Sequence, residues 1–134
     1  MYVVDTSLWI HALRARGNKA IKERLRPIIL AGNATITDWI ILELMTGIQS
    51  GEEQKKLEAF LTPLPRLPID ESCWIIACNL AVHLRKKGVT PSAADSLIAA
   101  VAIKNEISLL HVDEDFTEMA QFSKLKEVSW AEFL

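Results

Sequence analysis

Cysteine is scarce in this chain of 134 residues: there are two, Cys73 and Cys78. The surrounding pattern predicts a helix, on which that spacing turns them about 140° apart, too divergent to bridge each other. A reduced, cytoplasmic protein is the expectation. Long apolar runs are missing too. The longest, around Trp39–Leu42 and Leu97–Ile103, fall short of the roughly 18 residues that span a bilayer and fit buried helix faces. No membrane association is expected. The opening MYVVDTSLWI has no basic leader and carries an acid at position 5, unlike a signal peptide. Neither phosphate-cradling pattern, GxGxxG or GxxxxGK[ST], occurs, nor does the nucleophile elbow GxSxG. Zinc spacing is also missing, with no CxxC or HxxxH and with His11, His83 and His111 scattered. A basic excess is lacking as well: 15 Lys and Arg stand against 17 Asp and Glu, for a net charge of −2. That balance argues against a nucleic-acid binder only if the charges are evenly spread.

What is present is enough apolar side chain, 50% of residues, to close a core, and no repeat, low-complexity stretch or Gly/Ser linker divides it. One domain over residues 1–134 is predicted. Short β-branched runs alternate with helical patterns. Strands are predicted at Tyr2–Val4, Ala34–Thr37, Arg66–Ile69, Ser108–Val112 and Lys126–Val128. Helices are predicted at Ser7–Arg14, Lys19–Leu30, Asp38–Gln49, Glu52–Leu61, Asp70–Lys87, Ser92–Lys104 and Glu114–Phe122. Strands separated by helices pair in parallel, so the expected fold is α/β, a three-layer α/β/α sandwich around a central parallel sheet. The strand runs are uninterrupted rather than alternating, as strands buried on both faces require.

Four acids stand where apolar residues are expected. Asp5 and Asp113 each close a strand, at the rim where parallel sheets bind ligands. Glu43 is the only charge between Trp39 and Gly51, and Asp95 the only one between Val89 and Ile103. A carboxylate in such a helix is costly unless paired, and no Lys or Arg lies one turn from either. Ordinary structural roles exist for each taken singly. Asp5 and Asp113 can cap the helices that follow, Asp95 follows Ser92 at capping-box spacing, and Glu43 can pair with a distant Arg. Taken together, several carboxylates in one small α/β domain offer hard, oxygen-only ligation, which suits Mg2+ or Mn2+.

The same residues carry a resemblance. Asp5-Thr6-Ser7-x-Trp9-Ile10 after a first strand resembles the opening of a PIN domain. Glu43-Leu44 with Gly47 resembles that family's second acidic motif, Arg85-Lys86-Lys87-Gly88-Val89-Thr90 followed by Ala94-Asp95-Ser96-Leu97-Ile98-Ala99-Ala100 the third, and Leu109-Leu110-His111-Val112-Asp113-x-Asp115-Phe116 the fourth. The ordered set covers essentially the whole chain, and its compact length resembles the VapC-like ribonuclease toxins of toxin–antitoxin pairs. The resemblance implies a metal-dependent endoribonuclease in which Asp5, Glu43, Asp95 and Asp113 are the catalytic, metal-binding quartet, with Thr6 supporting them. It also implies a homodimer and a VapB-like antitoxin partner. In many relatives the position of His111 is a Thr, which leaves its role here open. Asp115 is an alternative fourth ligand or a local helix-start residue.

An RNA substrate calls for cations. Between Arg14 and Arg26 lie Arg14, Arg16, Lys19, Lys22, Arg24 and Arg26 against the single acid Glu23, and Arg85, Lys86 and Lys87 precede Asp95. Arg14, Arg16 and Arg85 are the candidate RNA contacts, with a solvated helix face and a helix C-terminus as the plain alternatives. Four tryptophans are a surplus that core packing or partner binding would use. Rival readings are a PIN-like nuclease in RNA processing outside a toxin pair and a PIN-like domain that binds RNA or protein without cleaving. A receiver-type phosphoacceptor wants adjacent acids after the first strand and a Lys after a late one. A haloacid-dehalogenase-type phosphatase wants Asp-x-Asp there, where Ser7 stands.

Overall fold

The computed structural model describes residues 1–134. Strand β1 (Tyr2–Val4) ends at Asp5, whose side chain caps helix α1 (Thr6–Leu13), so the helix starts one residue before the predicted Ser7. Asn18 caps α2 (Lys19–Leu30) in the same way. After β2 (Ala34–Thr37), helix α3 (Asp38–Met45) is shorter than the apolar pattern implies. It stops at Thr46, whose hydroxyl donates back to the Glu43 carbonyl at 2.6 Å, a contact that competes with helix continuation. Ser50 caps α4 (Gly51–Leu61). Strand β3 is only Arg66–Leu67, because Pro68 has no N–H to give the ladder.

Helix α5 (Glu71–Lys86) is capped by Asp70 and packs along α6 (Ala93–Asn105), capped by Ser92. A Lys104–Asp70 ion pair ties the end of α6 to the start of α5. It holds the Asp70 carboxyl well below the usual carboxylate range. Residues Ser96–Ala102 of α6 are all buried, which is why that helix reads as apolar all round. Strand β4 (Ser108–His111), helix α7 (Glu114–Ala120), strand β5 (Glu127–Ser129) and a 3-10 turn at Ala131–Phe133 complete the chain. Strand β5 lies one residue later than the predicted Lys126–Val128, which leaves Lys126 out of the strand and brings Ser129 in, opposite His111.

The five strands are all parallel, in the order β3-β2-β1-β4-β5, and the alternating helices lay a layer on each face, the α/β/α sandwich that the pattern predicts. From β1 the chain moves outward to β2 and β3, then returns to place β4 on the other side of β1. The order therefore reverses between β1 and β4, the switch point at which open α/β sheets form their ligand crevice. Val4 pairs with Leu110 there, and the Asp5 N–H donates to the Leu110 carbonyl at 2.9 Å.

Beneath this rim lies a cluster of 24 buried apolar residues, including Val3, Val4, Leu8, Trp9, Ile36, Ile98, Leu109, Leu110 and Phe116. Each such side chain contributes about 1.5–3 kcal/mol when fully buried. Of the four tryptophans only Trp9 is wholly internal; Trp39 and Trp130 are half-buried and Trp74 is exposed. Both cysteines are free, as their spacing predicts. No helix is long and apolar enough to cross a membrane.

Candidate metal centre

Two strand ends and two helices converge on the β1/β4 crevice. Asp5 is almost fully buried, with 5% of its surface exposed. Its Oδ2 accepts the Ser7 N–H at 3.0 Å, so it is a helix cap as well as a rim carboxylate. Burial pushes its pKa above the ordinary value, against the lowering pull of its hydrogen bonds to Ser7. The Ser7 hydroxyl in turn accepts the Val112 N–H at 3.3 Å, stitching the end of β4 to the start of α1.

Glu43 projects from α3 and is half-buried. The distant arginine that would neutralise it does not exist: none of the ion pairs includes Glu43. Its partner is the Thr6 hydroxyl, which donates to Oε1 at 2.9 Å. Burial raises the Glu43 pKa and the nearby Asp5 charge raises it further, with the Thr6 bond opposing both. Asp95 sits in the first turn of α6, its N–H donating to Ser92 Oγ at 3.1 Å as the capping-box spacing predicts. Its pKa is pushed up to about 6, first by burial and then by the charges of Asp113 and Asp5. Asp113 ends the β4 excursion and caps α7, Oδ1 accepting the Asp115 N–H at 3.0 Å.

The carboxylates of Asp95, Asp113 and Asp115 offer oxygens that all lie within 4.8 Å of one another. Asp115, from sequence only an alternative ligand, thus stands beside Asp113 rather than in its place. Asp5 and Glu43 lie outside that trio but are coupled to it, since the Asp5 charge raises the pKa of both Glu43 and Asp95. The donor set is carboxylate oxygen throughout and carries an unneutralised negative charge. That fits a hard divalent cation of the Mg2+ or Mn2+ type and not zinc.

The basic candidates divide. Arg14 and Arg16 are exposed and belong to no ion pair, as are Arg85, Lys86 and Lys87 at the end of α5. Others in the α1–α2 segment are occupied. Lys19 pairs with Glu23 at 3.9 Å, Lys22 Nζ donates to the Arg14 carbonyl at 2.6 Å, and Arg24 lies 3.7 Å from the Phe133 ring centre. The segment is held tightly at Gly17, where a Cβ would fall 1.8 Å from the His11 carbonyl oxygen. Sequence reasoning passed over Glu127, whose Oε2 lies 2.6 Å from His111 Nε2. Only the β4–β5 register reveals that pairing.

The chain as a whole is similar to known proteins. Residues 2–121 match the family model of the PIN domain. A VapC ribonuclease of Mycobacterium bovis is 30% identical over 133 residues, which covers 97% of this chain and 99% of that protein. Ribonuclease VapC3 of Methanocaldococcus jannaschii is 33% identical over 99 residues, 74% of this chain and 95% of its own length. Among solved structures, FitAcB from Neisseria gonorrhoeae superposes with a TM-score of 0.81 at 23% identity, covering 95% of this chain and 96% of that one. VapBC2 from Rickettsia felis, bound to a promoter DNA fragment, gives 0.79 at 24% identity, covering 96% and 98%.

Proposed function

The chain belongs to the PIN domain family, and from that premise we propose that it is a metal-dependent endoribonuclease, the toxin of a VapBC-type toxin–antitoxin pair, folded as one nuclease domain over residues 1–134. The observation that carries this reading is the convergence of unneutralised carboxylates at the β1/β4 switch point, in a chain 97% of which matches a VapC ribonuclease.

Asp5, Glu43, Asp95 and Asp113 would hold the cation, with Asp115 completing the Asp95 side of the site. Held by these acids, a divalent ion would supply Lewis-acid chemistry for RNA hydrolysis, lowering the pKa of a water and offsetting charge on the phosphoryl group. The protein's own residues prepare that chemistry. Thr6 occupies Oε1 of Glu43 and leaves Oε2 for a cation. With its pKa pushed up to about 6, Asp95 is mostly ionised at neutral pH and would offer the cation a charged oxygen there, whereas below about 6 a proton would compete for the same oxygen. Burial of Asp5 excludes water from one wall, which strengthens every electrostatic contact inside. Cleavage of a fluorogenic RNA is expected with Mg2+ or Mn2+ and is expected to vanish in EDTA. Cleavage that persists in EDTA would remove the metal from the mechanism.

Arg14, Arg16 and Arg85 are the proposed phosphate contacts. Reversing the charge of both Arg14 and Arg16 to Glu is expected to weaken RNA binding about tenfold or more. It should also reduce the slope of log K against log salt by about two, near one per lost phosphate contact. Fluorescence anisotropy in EDTA, where RNA stays intact, reads both; an unchanged slope dismisses the pair. A VapB-like antitoxin and a second copy of the chain are the proposed protein partners. Helix α5 leaves Trp74, Ile75 and Val82 exposed, apolar area of the kind that interfaces cover.

A further inference from the structure

We propose that His111 is a positioning residue for the acid cluster, anchored by Glu127 and acting through the backbone of Asp113; the inference rests on the reading of those acids as a cation site. His111 is the last residue of β4 and has no exposed surface. A side chain that only filled space there would be apolar, yet both ring nitrogens are engaged. Nδ1 accepts the Asp113 N–H at 3.1 Å. A nitrogen that accepts carries no proton, so the ring proton sits on Nε2, where Glu127 Oε2 lies 2.6 Å away to receive it.

The register explains why Glu127 reaches. Glu127 pairs with Leu109 and His111 with Ser129, so both side chains stand on one face of the β4–β5 ladder, as diagonal neighbours. Thr117 on α7 also donates to Glu127 Oε2, at 3.4 Å.

The Asp113 N–H lies at the cap of α7, outside both the helix ladder and the sheet, and His111 is its partner. In an Asx-turn a short polar side chain accepts the N–H two residues ahead; here the imidazole takes that part. Asp113 then hands the order on, its Oδ1 accepting the Asp115 N–H. A line of three hydrogen bonds therefore runs from β5 through His111 to two of the three carboxylates that crowd within 4.8 Å. The Glu127 end fixes the tautomer and the His111 end fixes the turn that aims them. Supports of this kind around metal ligands are worth about 10–100-fold in affinity.

The test measures Mn2+ affinity by calorimetry in the full chain, with far-UV circular dichroism and urea midpoints as the check on folding. His111→Phe keeps a flat ring but no acceptor and is expected to bind Mn2+ at least about tenfold more weakly. His111→Asn restores an acceptor at the Nδ1 position and is expected to stay within a few-fold of the natural chain, whereas His111→Gln moves the acceptor one carbon away and should resemble Phe. Nitrogen-15 NMR should find the His111 proton on Nε2 in the natural chain and spread over both nitrogens in Glu127→Leu. Equal Mn2+ affinity in His111→Phe and the natural chain overturns the inference and leaves the acid site standing. If His111→Phe does not fold, equal affinity of the Asn and Gln variants overturns it instead. A natural chain that binds no Mn2+ overturns the acid site itself, and the inference with it.

Discussion

Replacing Asp5 with Asn is expected to lower Mg2+-supported RNA cleavage by at least about two orders of magnitude, the scale on which loss of one preorganised charged group acts in a buried site, while leaving the fold intact. The second half of that expectation comes from the double duty of Asp5. Its Oδ2 caps α1 through the Ser7 N–H, and Asn caps a helix as well as Asp does. The Asn amide oxygen can keep that bond while the negative charge disappears. The exchange also deletes a desolvated charge, since burial is what raises the Asp5 pKa, so the metal-free chain should lose no stability. Asp5→Ala makes the contrast: it removes the cap too and should cost about 1 kcal/mol. Single-turnover cleavage of a labelled RNA beside urea unfolding separates the two effects. Cleavage within a few-fold of the natural chain in Asp5→Asn would take Asp5 out of the site.

A trade between stability and activity should be clearest at Asp95. In the folded, metal-free chain its pKa is about 6, whereas the ordinary value is 3.8. Between those two pH values the unfolded chain has lost the proton and the folded chain still holds it. The folded state binds more protons, so stability falls as pH rises from about 4 to about 6 and stays low above that. Asp5 and Glu43, shifted in the same direction, add to the slope.

Asp95→Asn has no proton to lose. One pKa unit corresponds to about 1.4 kcal/mol; Asp95 is only part-buried, and solvent screening reduces the gain to about 1–2 kcal/mol at pH 7.5 in EDTA. The natural chain should recover that difference on adding Mg2+, and its Mn2+ affinity should weaken as pH drops below about 6, where protons compete for the same oxygen. Asp95→Asn should gain little from the metal and lose cleavage. Urea midpoints at pH 5 and 7.5, with and without Mg2+, measure all of this. A variant no more stable than the natural chain in EDTA at pH 7.5 would show that Asp95 carries no electrostatic penalty.

These two residues were legible in the sequence for different reasons. Asp5 announces itself because a carboxylate that follows a β-branched run marks a strand's carboxyl end. Asp95 announces itself because a lone charge in an apolar helix has to be accounted for. Glu43 was legible on the same ground, but its partner was not: a hydroxyl thirty-seven positions away, on Thr6, took the place of an arginine. What the sequence hides is register and turn geometry. Glu127 meets His111 only because β5 pairs with β4 at one offset, and a one-residue slip would send its side chain to the other face. Asp115 joins Asp95 and Asp113 because Asp113 caps α7, which sets Asp115 in the first turn of that helix. Charge counting had the opposite fault, treating six bases between Arg14 and Arg26 as one patch when Lys19, Lys22 and Arg24 are engaged locally. A net charge of −2 is the sum of an acidic crevice and separate basic surfaces, so it never opposed RNA binding.

The return of the chain to lay β4 against β1 also sets a timetable. Asp5 is made well before Asp113, and between them the ribosome must produce β2 and β3, the two strands on the other side of β1. Until β4 arrives, the crevice has one wall and β1 is a bare sheet edge, with side chains at Val3 and Val4 that the finished protein hides completely. A chain cut short before that point, by a broken message or a stalled ribosome, lacks one wall of the proposed site and leaves that edge exposed, prone to stick to its neighbours. The proposed acid site is therefore completed only when β4 is made, by the same strand that covers the open edge of β1.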